Sequence, residues 1–109
     1  MFYRNLTCQS SNIVYMIECQ KPNCKNSRYI GETGRPLKYR LADHRGYVNN
    51  QMTNQATGAH FNSTGHSLSD MKVVILELVK YRNTEYRKER ERYHIQKFNT
   101  YNEGMNKQQ

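Results

Sequence analysis

The hydrophobic pattern first becomes regular at Asn12. Residues 12–18 (NIVYMIE) are β-branched and aromatic, with a polar residue only at each end, and predict a strand. Gln20 to Ser27 (QKPNCKNS) is turn chemistry, with Pro22-Asn23 and Lys25-Asn26 as breakers. Arg28 to Gly31 resumes the extended pattern, so residues 12–31 are expected to pair as an antiparallel hairpin with a long tip. Thr33-Gly34-Arg35-Pro36 then opens a helix, where proline is tolerated because a first-turn N–H has no helical partner anyway. Leu37, Leu41 and His44 follow at helical spacing, and Gly46 marks the expected end. Residues 49–69 are polar, with a short helix possible around Gln55–Phe61. Lys72 to Val79 (KVVILELV) is the most hydrophobic run and reads as a central strand. Thr84 is expected to cap a last helix that runs to about Phe98, and the polar tail from Asn99 is expected to fray.

The order β-β-α-(loop or short α)-β-α predicts an α+β fold, with a small, mainly antiparallel three-stranded sheet flanked by helices. Residues 1–109 are read as one domain, with a leader at 1–11, a core at 12–98 and a tail at 99–109 that includes Asn106. Composition warns that the core is thin. Leu, Ile, Val and Phe make up 19 of 109 residues, a share so low in a charged chain that a metal or a partner is expected to help hold it. No stretch has the apolar run of a signal peptide or approaches a membrane span. The three cysteines are odd in number, which argues against a disulfide scaffold and for free thiols. Secreted mini-protein, membrane protein and collagen-like chain are the classes excluded.

Charge adds a partner. Lys and Arg number 17 against 9 Asp and Glu, a formal net charge of +8. The excess sits at residues 35–48 and 82–98, each +3, both read as helices. A basic balance of this kind suits a polyanion, although solubility alone would also account for it.

Candidate chemistry comes from spacing. Glu91, Ile95 and Phe98 share one helix face, and the two apolar residues turn that face to the core, carrying Glu91 to its edge. Carboxylates on an apolar face need a compensating cation or metal. Arg87, one turn back, could supply the cation. The other side of the helix reads as a solvated weave of Arg87, Lys88, Glu89, Arg90 and Arg92. Arg40 and His44 are i, i+4 neighbours that would face Tyr15 and Tyr29 on the hairpin. Two tyrosines, an arginine, a histidine and a carboxylate are the parts a phosphodiesterase needs: a metal ligand, a cation for the phosphate and a group that orients water. Packing tyrosines and a solvated arginine would leave the same spacing.

Ile13-Val14-Tyr15, then Tyr29-Ile30-Gly31, Arg40, His44, Glu91 and Asn106 together resemble the ordered signature of the GIY-YIG nucleases. The likeness runs from about residue 12 to 106, although Ile13 stands where the first motif has its glycine and 13 residues separate the two tyrosines. It implies a metal-dependent DNA endonuclease with one magnesium or manganese held by Glu91. Arg40 would contact the scissile phosphate and Tyr15 would activate water, assisted by Tyr29 and His44. Asn106 would close the pattern. Arg28, Arg35, Lys38 and Arg45 would hold flanking DNA phosphates.

The longer hairpin contains Cys19 and Cys24, and His60 and His66 follow downstream. C-x4-C and H-x5-H both suit tetrahedral zinc, while core thiols and surface imidazoles would also give this scatter. The same arrangement resembles the endonuclease domains of Penelope-like retroelements, as do Tyr-Ile-Gly-Glu-Thr-Gly-Arg-Pro-Leu and His-Phe-Asn-Ser-Thr-Gly-His. That resemblance implies a structural zinc pinning the hairpin tip to the 60s loop. It also implies nicking of nuclear DNA, with a fused or associated reverse transcriptase or DNA-binding domain for targeting. Cys8 is read as a buried thiol or a substitute ligand, and His94 as an exposed histidine. The alternative function is a non-catalytic, zinc-stabilised nucleic-acid-binding module.

Overall fold

The computed structural model describes residues 7–22, 24 and 27–108. Residues 1–6 of the leader and Asn23, Lys25 and Asn26 of the hairpin tip lie outside the described residues. The strands are β1 (Ile13–Cys19), β2 (Arg28–Thr33) and β3 (Met71–Leu78), and the helices are α1 (Leu37–Asn49), α2 (Ala56–Phe61), α3 (Thr84–Phe98) and α4 (Thr100–Glu103). Short 3-10 turns at Leu68–Asp70 and Met105–Gln108 complete the described elements. The fold is α+β as expected, with a three-stranded antiparallel sheet in the order β2-β1-β3.

The sheet order corrects one expectation. β3 is an edge strand, and β1 is the central one. Hydrophobicity misled because it reports how well both faces are covered, not where a strand stands in the sheet. Ile13, Val14, Tyr15 and Ile17 are fully buried, whereas most of β3 is only partly so. One face of β1 (Ile13, Tyr15, Ile17) packs with Tyr29, with Leu37, Leu41 and Val48 of α1, with Phe61 of α2 and with Met105. Its other face (Val14, Met16) packs with Ile30 and Val79, backed by Tyr86, Ile95 and Phe98. The sheet is thus sandwiched, with α1 and α2 on one side and α3 on the other.

Helix ends differ from the sequence reading in identifiable ways. α1 does not stop at Gly46. Buried Val48 holds one more turn, closed by the Asn50 N–H bonding back to the Gly46 carbonyl. At its start, the Leu37 and Lys38 N–H groups donate to the carbonyls of Ser10 and Cys8, so the leader satisfies the orphan donors of this helix. α3 is capped by Asn83 rather than Thr84: the Asn83 side chain accepts the Tyr86 N–H at 2.9 Å.

The tail is ordered where fraying was expected. Asn99 adopts a left-handed backbone (φ 54°) that ends α3 and turns the chain into α4. The chain then delivers Asn106 to the open edge of β2. Ile30 lies opposite Met16 with its backbone groups pointing away from β1. Asn106 accepts the Ile30 N–H and donates to the Ile30 carbonyl, both at 2.8 Å, as a neighbouring strand would. Asn106→Ala would leave both groups buried and unpaired, at a cost of about 3 kcal/mol. Urea denaturation should show that loss in the midpoint, and an unchanged midpoint would sink this role for Asn106.

Candidate active site and metal cluster

β1 and β2 bring the first group of side chains together. Tyr15 lies opposite Gly31, and a Cβ at position 31 would sit 2.5 Å from the Tyr15 hydroxyl. Glycine is needed here for close approach, which leaves the ring room to run beneath α1. Its hydroxyl lies 2.8 Å from His44 Nε2, and His44 Nδ1 lies 2.7 Å from the Thr57 hydroxyl on α2. The Tyr29 and Tyr47 rings meet the imidazole edge-on, at 5.3 and 5.5 Å between centroids. Burial, helped by the nearby Arg40 charge, pushes the His44 pKa down to about 3, so the imidazole is neutral at ordinary pH. Burial also raises the Tyr15 pKa, with Tyr29 and Glu91 adding to it and Arg40 opposing.

Arg40 extends from α1 with Nη1 3.0 Å from Asp43 and 3.2 Å from the Tyr47 hydroxyl. Burial opposes its charge, but Tyr15, Tyr47 and Asp43 outweigh that cost and hold the guanidinium protonated. Glu91 comes from the opposite layer, yet it couples electrostatically to both Tyr15 and Arg40. Its carboxyl pKa is pushed up to about 7, mainly by burial and then by Glu32. Glu91 has no hydrogen-bond or ion-pair partner among the described residues. Arg87, the cation that the spacing offered it, pairs with Glu32 instead.

A second group stands apart. The donor atoms of Cys19, Cys24, His60 and His66 all lie within 4.8 Å of one another. Cys24 Sγ is 3.4 Å from Nε2 of each histidine. Zinc bond lengths place tetrahedral sulfur and nitrogen ligands roughly 3.5 Å apart, so these separations fit a shared zinc ion. The Cys24 pKa is lowered: burial opposes this, but Ser27, His66 and Cys19 outweigh it. A lowered thiol pKa favours the thiolate that zinc requires. Cys8 is exposed and outside the cluster, so it is neither a buried thiol nor a ligand. Its own carbonyl and that of Ser10 cap α1, while its side chain stays at the surface.

A family model, the GIY-YIG catalytic domain, matches residues 11–106. The chain belongs to this family. No curated protein and no solved structure matches it. The GIY-YIG family is one of metal-dependent endonucleases, so the chain carries a nuclease-type domain.

The remaining expected residues of this GIY-YIG domain fall at different depths. Tyr15, Tyr29, Arg40, His44 and Glu91 converge, whereas Asn106 is committed to the Ile30 backbone beside Tyr29. Lys38 and Arg45 are exposed on α1. Arg28 pairs with Glu18 at 3.0 Å and Arg35 with Asp43 at 3.4 Å, so both reach DNA only by sharing or leaving a carboxylate.

The solvated weave on α3 needs correcting as well. Arg87 turns inward to Glu32 and the Asn12 side chain, and Arg90 makes a two-pronged contact with Glu77. His94 is buried, with Nε2 2.9 Å from Glu77. The face that carries Glu91 inward also carries these neighbours, and Glu32 and Glu77 on the strands await them. Two carboxylates within apolar strands were the available signal. Asp43 and Tyr47 stand three residues from Arg40 and His44 respectively and were legible from helical spacing. Thr57 had no signal in the sequence.

The two shifted groups act on stability with opposite signs. The depressed His44 pKa gives stability that is present above about 6.5 and is lost as pH falls toward 3, because the unfolded chain takes the proton first. For Glu91 the folded chain holds the extra proton between 4.5 and about 7, so stability falls as pH rises through that window. NMR titration of the His44 imidazole should find it neutral from pH 8 to well below 5. A midpoint near its ordinary value would sink the buried Tyr15–His44–Thr57 chain.

Proposed function

We propose that this chain is a metal-dependent DNA endonuclease that nicks by hydrolysing a phosphodiester bond. The observation that carries the reading is Glu91, a half-buried carboxylate without a hydrogen-bond or ion-pair partner among the described residues, beside the half-buried Arg40 guanidinium and the Tyr15–His44 pair. A magnesium or manganese ion fits this donor, since such ions accept one or two carboxylates and take their other oxygens from water and substrate phosphate. When bound, the ion supplies Lewis-acid stabilisation of charge on the phosphate. A non-catalytic module would have no use for a carboxylate desolvated and left unpaired.

The chain's own groups divide the rest of the work. Arg40, held charged, faces the phosphate and balances the charge that builds there. Tyr15 donates its O–H to His44 Nε2, which leaves phenol lone pairs to accept a hydrogen bond from the attacking water. The water is oriented by its hydrogen bond to Tyr15; as its oxygen bonds to phosphorus its proton is released to solvent, and the leaving oxygen departs taking a proton from solvent. The neutrality of His44 keeps Nε2 an acceptor for the Tyr15 O–H, which fixes the phenol lone pairs toward the water. Thr57 fixes the ring through Nδ1, and Tyr29 packs against it. Asn106 is a positioning residue, since it holds the β2 backbone next to Tyr29. Lys38 and Arg45, with Arg28 and Arg35, contact flanking phosphates.

The Cys19, Cys24, His60 and His66 cluster binds a structural zinc, supported by the 3.4 Å sulfur–nitrogen separations. It also supports membership of the Penelope-like subgroup, and with it a retroelement endonuclease acting on nuclear DNA beside a reverse transcriptase or targeting domain. Residues 1–109 act as one unit in this reading, because the leader caps α1 and the tail closes β2.

Supercoiled plasmid should be nicked in Mg²⁺ or Mn²⁺, and Glu91→Gln should abolish nicking while the protein stays folded. Arg40→Ala should lower single-turnover cleavage on saturating DNA by roughly a hundredfold. Lys38→Ala should leave that rate unchanged and reduce the salt slope of binding by about one unit. Normal cleavage by bound Arg40→Ala would mean α1 only clamps DNA.

Purified protein should carry about one zinc per chain, and chelation should unfold it, since a structural zinc supplies on the order of 10 kcal/mol of folding energy. Cys19→Ser or His66→Ala should unfold it similarly. Elemental analysis finding well-folded, zinc-free protein would remove the zinc assignment.

A further inference from the structure

A groove between the last turns of α3 and the start of α4 holds none of the residues assigned above. It has a volume of about 360 Å³ and is lined by Arg92, Ile95, Gln96, Asn99, Tyr101 and Asn102. The left-handed turn at Asn99 creates it by folding α4 back beside α3. Tyr101 is 61% exposed, and its ring has no aromatic or cationic partner among the described residues. Arg92 has no carboxylate partner among them either, and no acidic side chain lines the groove. Asn102 donates to the Asn99 side-chain oxygen at 3.0 Å, which leaves the Asn99 amide N–H groups and the Asn102 carbonyl available beside Gln96.

This set of groups has one natural occupant. A nucleobase offers a flat face for Tyr101 and an edge of donors and acceptors for the amides, and its phosphate suits Arg92. A duplex backbone would need a row of cations rather than one. The groove also lies along α3 from Glu91. Ile95, in its wall, is one turn beyond Glu91 on the same helix face, about 6 Å along the axis. That distance is within two stacked nucleotide steps of the strand.

We propose that this groove captures an unpaired base beside the scissile phosphate, so that the enzyme favours DNA with an unpaired tract next to the cut. The proposal rests on the endonuclease reading and names its substrate class. It is tested with the full chain and two labelled hairpin DNAs, one fully paired and one with a short thymine bulge, by fluorescence anisotropy with Ca²⁺ replacing Mg²⁺. The bulged hairpin should bind at least about fivefold more tightly, as expected for stacking on one aromatic side chain. Tyr101→Ala should lose that margin, Tyr101→Phe should keep it, and both should bind the paired hairpin and nick plasmid as the wild type does. Equal wild-type affinity for the two DNAs with plasmid nicking intact would overturn the groove assignment alone. So would a margin that Tyr101→Ala retains. Failure to bind either DNA, with no nicking, would overturn the endonuclease reading and the groove with it.

Discussion

The fold is governed by a central strand that must be sealed on both faces. Ile13, Val14, Tyr15 and Ile17 are fully buried, so one layer of helix on each side is obligatory. In a chain this poor in aliphatic residues, a single strand supplies much of the core to both layers. The side chains of the candidate site inherit that geometry. Tyr15 and His44 belong to the α1 side and Glu91 to the α3 side, and they couple electrostatically across the sheet layer. At position 31 any side chain would collide with the Tyr15 hydroxyl. The need to seal β1 and the need to gather these groups therefore converge on one glycine.

α3 is docked largely by charge. Its partly buried apolar residues Tyr86, Ile95 and Phe98 share the interface with Arg87, which pairs with Glu32, and with Arg90 and His94, which both meet Glu77. Arg87 and Glu32 are 12% and 18% exposed, shielded enough that losing either partner would strand a charge. Such pairs add little net stability, because desolvation offsets attraction, but they penalise every other register of the helix. Arg87 also bonds the Asn12 side chain, which in turn donates to the carbonyls of Val79 and Tyr81 at either side of Lys80. The start of β1, the exit of β3 and the first turn of α3 are thereby locked together. Glu91 lies one turn further on, so its position follows from this lock more than from apolar packing.

Local features of this arrangement were legible in the sequence. The Tyr15 and Tyr29 strands, the Leu37/Leu41/His44 stripe and the short helix near Phe61 all follow from period and turn chemistry. Features set by distant segments were not legible. Periodicity could not tell that β3 lies at an edge, because sheet order depends on pairing between segments far apart in the chain. The tail read as frayed because its composition is polar, yet Asn106 is polar for a reason: the open edge of β2 needs an amide that both accepts and donates. His94 looked exposed because only Glu77, on another element, makes its burial acceptable.

α2 joins the two clusters, although it is only six residues long. Thr57 near its start holds His44 Nδ1, and His60 near its end belongs to the Cys/His group. Three residues apart on a helix, they lie on neighbouring turns of one rigid piece. Phe61 is almost fully buried in the same core cluster as Tyr15, which fixes the piece against the sheet. Isolated helices of this length do not form in water. α2 therefore depends on its anchors: Phe61 in the core, Thr57 at the imidazole and His60 at the hairpin tip. A zinc ion held at Cys19, Cys24, His60 and His66 would stiffen the last of these and so keep Thr57 against His44. Under that constraint His44 retains one ring orientation and one tautomer, the state in which Nε2 can accept the Tyr15 O–H. A metal ion held there would thus act on the Tyr15–His44 pair through one turn of helix, at a distance from it.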